Sequence, residues 1–181
     1  MSKMPSIFFS SDFHLDHYNI IKYCNRPFST VKEMNDTIIG NLNKVVSAYD
    51  TLYVLGDFCF GQQSLFREQI NCNSIILVKG NHDKQCDRSL FTTVKDMTEY
   101  NGQGVNIVLC HYAMRSWNKK HHGSYHLFGH GHCNSYDDPL SLSFDCGVDG
   151  HNFKPWSLDE VVKRMTKKLE YIKYRKIYYV V

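Results

Sequence analysis

The side chains most able to do chemistry fall in five short clusters, in the order Asp12-Phe13-His14, Gly56-Asp57, Gly80-Asn81-His82-Asp83, His111 and Gly129-His130-Gly131-His132. Imidazole nitrogens mixed with carboxylate and amide oxygens make donor sets suited to manganese, iron, zinc or nickel. Two such cations about 3.5–4 Å apart need a carboxylate able to bridge them. A phosphoester would then lay its oxygens on both ions. A metal-bound hydroxide would attack phosphorus in line, and a nearby acid would protonate the departing oxygen. The glycines beside Asp57, Asn81 and His130 suit so crowded a centre, because a missing Cβ lets backbone come close.

Taken singly, several clusters say little. Asp-x-His recurs by chance, Gly-Asp is a common turn, and a lone His111 is more often an ordinary buried histidine. What carries the reading is where they all fall. Short apolar runs, Ile7–Ser10, Thr51–Leu55, Ser74–Val78, Val105–Cys110, Tyr125–Phe128 and Leu140–Cys146, are bounded by turn formers and read as strands. The first five each run directly into one of the clusters, so every cluster sits at a strand's carboxyl end, the edge where α/β sheets bind ligands.

Helix signals lie between them. Thr30-Val31-Lys32-Glu33 is a capping box opening a stretch with Met34, Ile38, Leu42, Val45 and Tyr49 on one face. A second box, Ser157-Leu158-Asp159-Glu160, starts a helix that would bury Val161, Met165, Leu169 and Ile172. Asp16–Cys24 and Ser64–Ile70 are weaker helical stretches, and Lys176–Val181 reads as a closing strand. The alternation implies an α/β class.

Length and composition bound the rest. At 181 residues, 43% hydrophobic and 22% charged, the chain suits one globular domain spanning 1–181, with no repeat or linker to divide it. A net charge of +3 permits nucleic-acid contact without demanding it. No segment approaches the ~18 apolar residues that span a bilayer, and Met1–Ser11 lacks a secretory signal. Seven scattered cysteines, never spaced Cys-x-x-Cys, argue for reduced thiols in a cytosol.

The ordered clusters resemble the calcineurin-like metallophosphoesterase superfamily over residues 7–150. More narrowly, Asn25-Arg26-Pro27-Phe28, Leu55-Gly56-Asp57-Phe58, Val148-Asp149 and Lys154-Pro155 are similar to its short, cap-less bacterial and phage members. The resemblance implies a sandwich of two mixed β-sheets flanked by α-helices. It also implies two divalent ions, manganese foremost, with iron, zinc, nickel or magnesium as alternatives. Asp12, His14, Asp57 and His132 would hold the first ion; Asp57, Asn81, His111 and His130 would hold the second, with Asp57 bridging. His82 would stand outside as acid, oriented by Asp83. There is one departure. Many relatives place a further Asp or His soon after Gly-Asp, where this chain has Phe58-Cys59-Phe60-Gly61.

His17, Arg26 and Arg115 are candidate phosphate contacts, Arg through its bidentate fork. Trp117 suits core packing, Cys59 and Cys110 suit small apolar filling, and His121, His122, His126 and His151 lie outside the ligand set. The expected activity is hydrolysis of a small phosphorylated, nucleotide-like substrate, diester slightly ahead of monoester, in the cytosol of a bacterium or of a phage's host. Two alternatives are a non-catalytic scaffold of the same fold and an endonuclease using the basic run Lys163, Arg164, Lys167, Lys168, Lys173, Arg175 and Lys176. A solvated helix face is the plainer account of that run.

Overall fold

Strands covered on both faces read as near-continuous apolar runs, and five of the apolar runs form the middle of two sheets. The computed structural model describes residues 5–134 and 136–178. Strands β1 (Ile7–Ser10), β2 (Thr51–Val54), β3 (Ser74–Val78) and β4 (Thr93–Lys95) pair in parallel. With β9 (Trp156–Ser157), antiparallel to β1, they make a five-stranded sheet of order β4-β3-β2-β1-β9. The second sheet has order β5-β6-β7-β8, from β5 (Met97–Gly102), β6 (Val105–Cys110), β7 (Tyr125–Phe128) and β8 (Ser143–Asp145). Only its β5–β6 pair is antiparallel. Two mixed sheets with flanking helices are the fold class expected.

Alternate residues of the first sheet feed two cores. Phe8, Leu52, Val54, Ile75 and Leu77 face helix α2 (Val31–Val45), whose Met34, Ile38 and Leu42 are at most 1% exposed. Each such side chain contributes roughly 2 kcal/mol, more than the cap contributes at about 1 kcal/mol. The cap is present: the Thr30 side chain accepts from Glu33 N at 3.1 Å. The helix stops at Val45, which is 46% exposed, and Tyr49 lies beyond it at 85%, so the expected apolar face is two residues too long. Phe9, Leu55 and Val78 point the other way, against Ile107, Leu109, Leu127 and Phe144 of the second sheet.

Helix α4 (Leu158–Tyr178) closes this inner core with Val161 and Met165. Its box is reciprocal, Glu160 N donating to Ser157 Oγ and Ser157 N donating to Glu160 Oε2. Lys176–Tyr178 continue this helix and do not form the expected strand; Tyr179–Val181 lie outside the described residues. Two short helices, α1 (Tyr18–Tyr23) and α3 (Gln63–Arg67), occupy the weaker helical stretches. Strands β4 and β5 carry no apolar run because they are edge strands; of β5 only Tyr100 is buried. The β5–β6 hairpin turns on Gln103 and Gly104, both at positive φ (47° and 78°), a pair that matches strand twist. Among the described residues no helix is long and apolar enough to cross a membrane.

Candidate metal centre

The loops leaving β1 and β2 zip together: Asp12 N donates to Gly56 O, His14 N to Asp57 O and Leu15 N to Phe58 O, at 2.9–3.1 Å. The second sheet joins the same seam through Val148 N to Ser11 O and through His130 N, 3.0 Å from Asp12 Oδ2. Asp12, His14, Asp57, His130 and His132 all take left-handed backbone, with φ between 47° and 66°. Such a conformation costs roughly 1–2 kcal/mol for each non-glycine residue. Here it turns five side chains out of their strand directions toward one edge. A Cβ on Gly80 would sit 2.2 Å from Asp57 Oδ1, and one on Gly56 2.4 Å from His111 Nδ1, so neither glycine tolerates a side chain.

Two triads result. Asp12, His14 and His132 bring ligand atoms within 4.8 Å of one another, and so do Asp57, His111 and His130. Asp57 faces both, its Oδ2 lying 3.4 Å from His14 Nε2 and 3.6 Å from His111 Nε2. Asn81 Oδ1 lies 3.1 Å from His111 Nε2 and joins the second group. All seven candidate ligands thus converge on one place.

The surroundings suit cations. His14 Nε2 is buried with no hydrogen-bond partner, an orphan that a cation would satisfy. Burial, then the charge of His132, pushes the His14 imidazole down to about 2, so the ring is neutral with a nitrogen free to accept a cation. Burial raises the Asp12 carboxyl to about 7; only positive charge placed nearby would let so enclosed a carboxylate ionise freely. His130 is also lowered, by burial and then by His111. Several ring orientations are set from behind. His111 Nδ1 lies 2.7 Å from Leu55 O, which leaves Nε2 facing the centre. His132 Nδ1 lies 2.9 Å from Asp149 Oδ2. Burial opposes charge on that ring, but Asp149 and Asp12 outweigh it and raise its pKa. Burial would likewise raise Asp149, yet His132 and Arg26 hold it below the usual range.

Asp149 and two aromatic neighbours are the residues the sequence did not single out as functional. The Phe60 ring stacks on His17 at 3.8 Å and lies 4.6 Å from His82. Its only signal was the apolar stretch Phe58–Gly61, where the resemblance led one to expect a polar residue. Tyr112 lies 4.9 Å from His111 and 4.8 Å from His130, ring to ring. His17 Nδ1 is 3.4 Å from His14 Nδ1, beside the first triad.

Two expectations, for Asp83 and Arg26, need correction. Asp83 does not orient the His82 ring: its carboxylate accepts from Asp57 N (2.7 Å), Phe58 N (3.1 Å) and Gly80 N (2.8 Å), clamping the two loops. Arg26 is not at hand for a phosphate. It is 4% exposed, holds Asp149 in a bidentate pair at 2.7 and 2.9 Å, and donates to Phe13 O and Asp12 O. Arg115 is exposed beyond His111, and no described contact joins its guanidinium to the cluster. His82 is exposed at the lip, its N donating to Asp57 Oδ1 at 3.0 Å. His126 is a satisfied core histidine, between Met114 N and Val108 O. Trp117 packs on it, and His151 stacks on Trp156.

No protein-family model matches the sequence. An uncharacterized protein of Methanocaldococcus jannaschii is 38% identical over 174 residues, 91% of this chain and 93% of that one. Among solved structures, a protein of unknown function from Aquifex aeolicus aligns with a TM-score of 0.71 at 24% identity, covering 88% of this chain and 98% of its own. Yfce, a phosphoesterase from E. coli, aligns with a TM-score of 0.47 at 18% identity over 78% of each chain. The chain belongs to one family with the Methanocaldococcus jannaschii protein, and it shares its two-sheet fold with the Aquifex aeolicus protein.

Proposed function

We propose that this chain hydrolyses phosphoesters with two divalent cations held on either side of Asp57. The observation that carries the reading is the position of Asp57 Oδ2, 3.4 and 3.6 Å from imidazole nitrogens of the two separate triads. Asp12, His14, His132 and Asp57 would hold one ion, and Asp57, Asn81, His111 and His130 the other. Bound cations would supply Lewis acidity and a water made acidic enough to attack at neutral pH. The mixed imidazole, carboxylate and amide donors suit manganese, iron, zinc or nickel, and the family resemblance puts manganese first among them.

The chain's own residues do the rest. Asp83 keeps Asp57 and the Gly80 turn in register through their amides. Asp149 and Leu55 O keep His132 and His111 turned inward. His82, held at the lip through its backbone bond to Asp57 and free of the triads, is the group able to give a proton to the departing oxygen. The substrate is a small, nucleotide-like phosphoester, diesters ahead of monoesters. A nuclease reading draws less support, because Asp137 takes both Arg164 and Lys168 from the basic helix.

The test is a panel of manganese, nickel, zinc and magnesium against mono- and diester compounds, nucleotides and oligonucleotides. Calorimetry should find two ions bound, and Asp57→Ala should lose both the binding and turnover. Two ions bound with no ester turned over, or metal-dependent turnover kept in Asp57→Ala, would overturn the proposal.

A further inference from the structure

Beside the triads, on the side where His82 stands, a cleft of about 430 Å³ opens between the loop after β2 and the loop after β3. Phe60 and His82 line its inner end, Gln62, Gln63 and Gln85 add amides, and Asp87 adds a carboxylate; no Lys or Arg lines it. The walls are tied together, Gln63 Oε1 accepting from Asp87 N at 2.8 Å. Hydrogen bonds from the Ser89 hydroxyl and amide hold the Asp87 carboxyl below its ordinary value, so it is an anion at neutral pH. On the Asn81 side the charge differs. A second cleft, of about 480 Å³, carries Lys79 and Lys84, with Asp96 pairing Lys79 at 2.7 Å.

We infer that the cleft beside His82 is the leaving-group subsite, and that it admits an uncharged, hydrogen-bonding alcohol while disfavouring phosphate or any other anionic leaving group. The inference rests on the reading of His82 as proton donor. In hydrolysis the bond from phosphorus to the alcohol oxygen breaks and that oxygen takes a proton from His82. Water supplies the new oxygen on phosphorus, and its released proton goes to solvent or back to His82. The departing oxygen must therefore lie within hydrogen-bond reach of His82, and the group it carries extends into the cleft that His82 lines. There, three amides can donate to and accept from hydroxyls or a base edge, and the half-exposed Phe60 offers a flat apolar wall. An anion would face the Asp87 carboxylate with no lining Lys or Arg to meet it. Phosphoanhydrides, whose leaving group is a phosphate anion, are thus disfavoured relative to esters of sugars or nucleosides.

The experiment uses 4-carbamoylphenyl phosphate and 4-carboxyphenyl phosphate, which differ in an amide against a carboxylate, on manganese-loaded protein. The ratio of their kcat/KM values in the wild type should fall about tenfold, towards the carboxylate, in Gln85→Lys, the size expected of one exposed charge near another. Asp87→Asn, which keeps an oxygen for the Ser89 amide, should move the ratio the same way. Unchanged ratios in both variants overturn the subsite. Should neither ester turn over, the hydrolase reading is at fault, and binding decides the subsite separately. In a 15N NMR titration without added metal, 4-hydroxybenzamide should shift the side-chain amides of Gln62, Gln63 and Gln85 and 4-hydroxybenzoate should not. Equal shifts, or none, refute the inference.

Discussion

Replacing Asp83 by Asn separates two roles for a residue that the motif alone cannot tell apart. The Asp83 carboxylate is fully buried and accepts three backbone N–H groups, with Oδ2 taking Asp57 N and Gly80 N and Oδ1 taking Phe58 N. An Asn can put its one oxygen where Oδ2 stands, but its NH2 then faces Phe58 N, donor against donor. One bond is lost and the other two lose their charge assistance. With hydrogen bonds to charged groups contributing about 1.5–3 kcal/mol each, the expected loss is about 3 kcal/mol. At about 2–4 °C per kcal/mol for a chain of this size, Tm should drop by about 6–12 °C. Because the loosened loop carries Asp57, metal affinity should fall about 10–100-fold, as when an outer partner of a metal ligand is removed. Differential scanning fluorimetry and manganese calorimetry read both effects. A variant that melts within about 2 °C of the wild type and binds manganese equally, yet turns over slowly, would refute the clamp and restore Asp83 to the service of His82.

Other outcomes follow from the same contacts. His82→Ala should keep both ions in calorimetry while slowing turnover about 10²–10⁴-fold, most for poor leaving groups; lost metal would make His82 a ligand. Arg26→Met strands the buried Asp149 carboxylate and should cost about 3–5 kcal/mol in urea unfolding, whereas a phosphate-binding Arg26 would raise KM and leave stability alone. Burial would raise the Glu160 carboxyl, but Ser157 outweighs it and holds the value below 4.5. The folded state therefore binds fewer protons than the unfolded chain near that pH. The Glu160 contribution is complete above about 4.5 and fades as pH falls through the lower folded value. Glu160→Gln should accordingly flatten the acid limb of the Tm profile slightly; an identical acid limb would show that the cap carboxylate adds nothing.

Much of this was readable along the chain. β1, β3, β6 and β7 coincide with their apolar runs, and both capping boxes start helices, because strands buried on two faces and helix first turns are decided by neighbours a few residues away. The candidate clusters were readable for the same reason: each is a strand end plus a turn, with glycine where backbone must approach. The edge strands β4 and β5 left no comparable trace. Solvent takes much of their side-chain surface, so their pairing is written mostly in backbone hydrogen bonds.

Contacts between distant segments were another matter. Arg26 and Asp149 stand 123 residues apart, and nothing local distinguishes an arginine free for phosphate from one locked in a buried pair. The clusters around Asp57 and Asp83 are 26 residues apart, yet the carboxylate turned away from its neighbour His82 toward the other loop. The amino-acid order determined which side chains stand at the strand ends and in what sequence. Only the packing of the two sheets decided which of them face the centre and which hold it from behind, because a hydrogen-bonding group goes to whichever unsatisfied partner the fold brings within 3 Å or so.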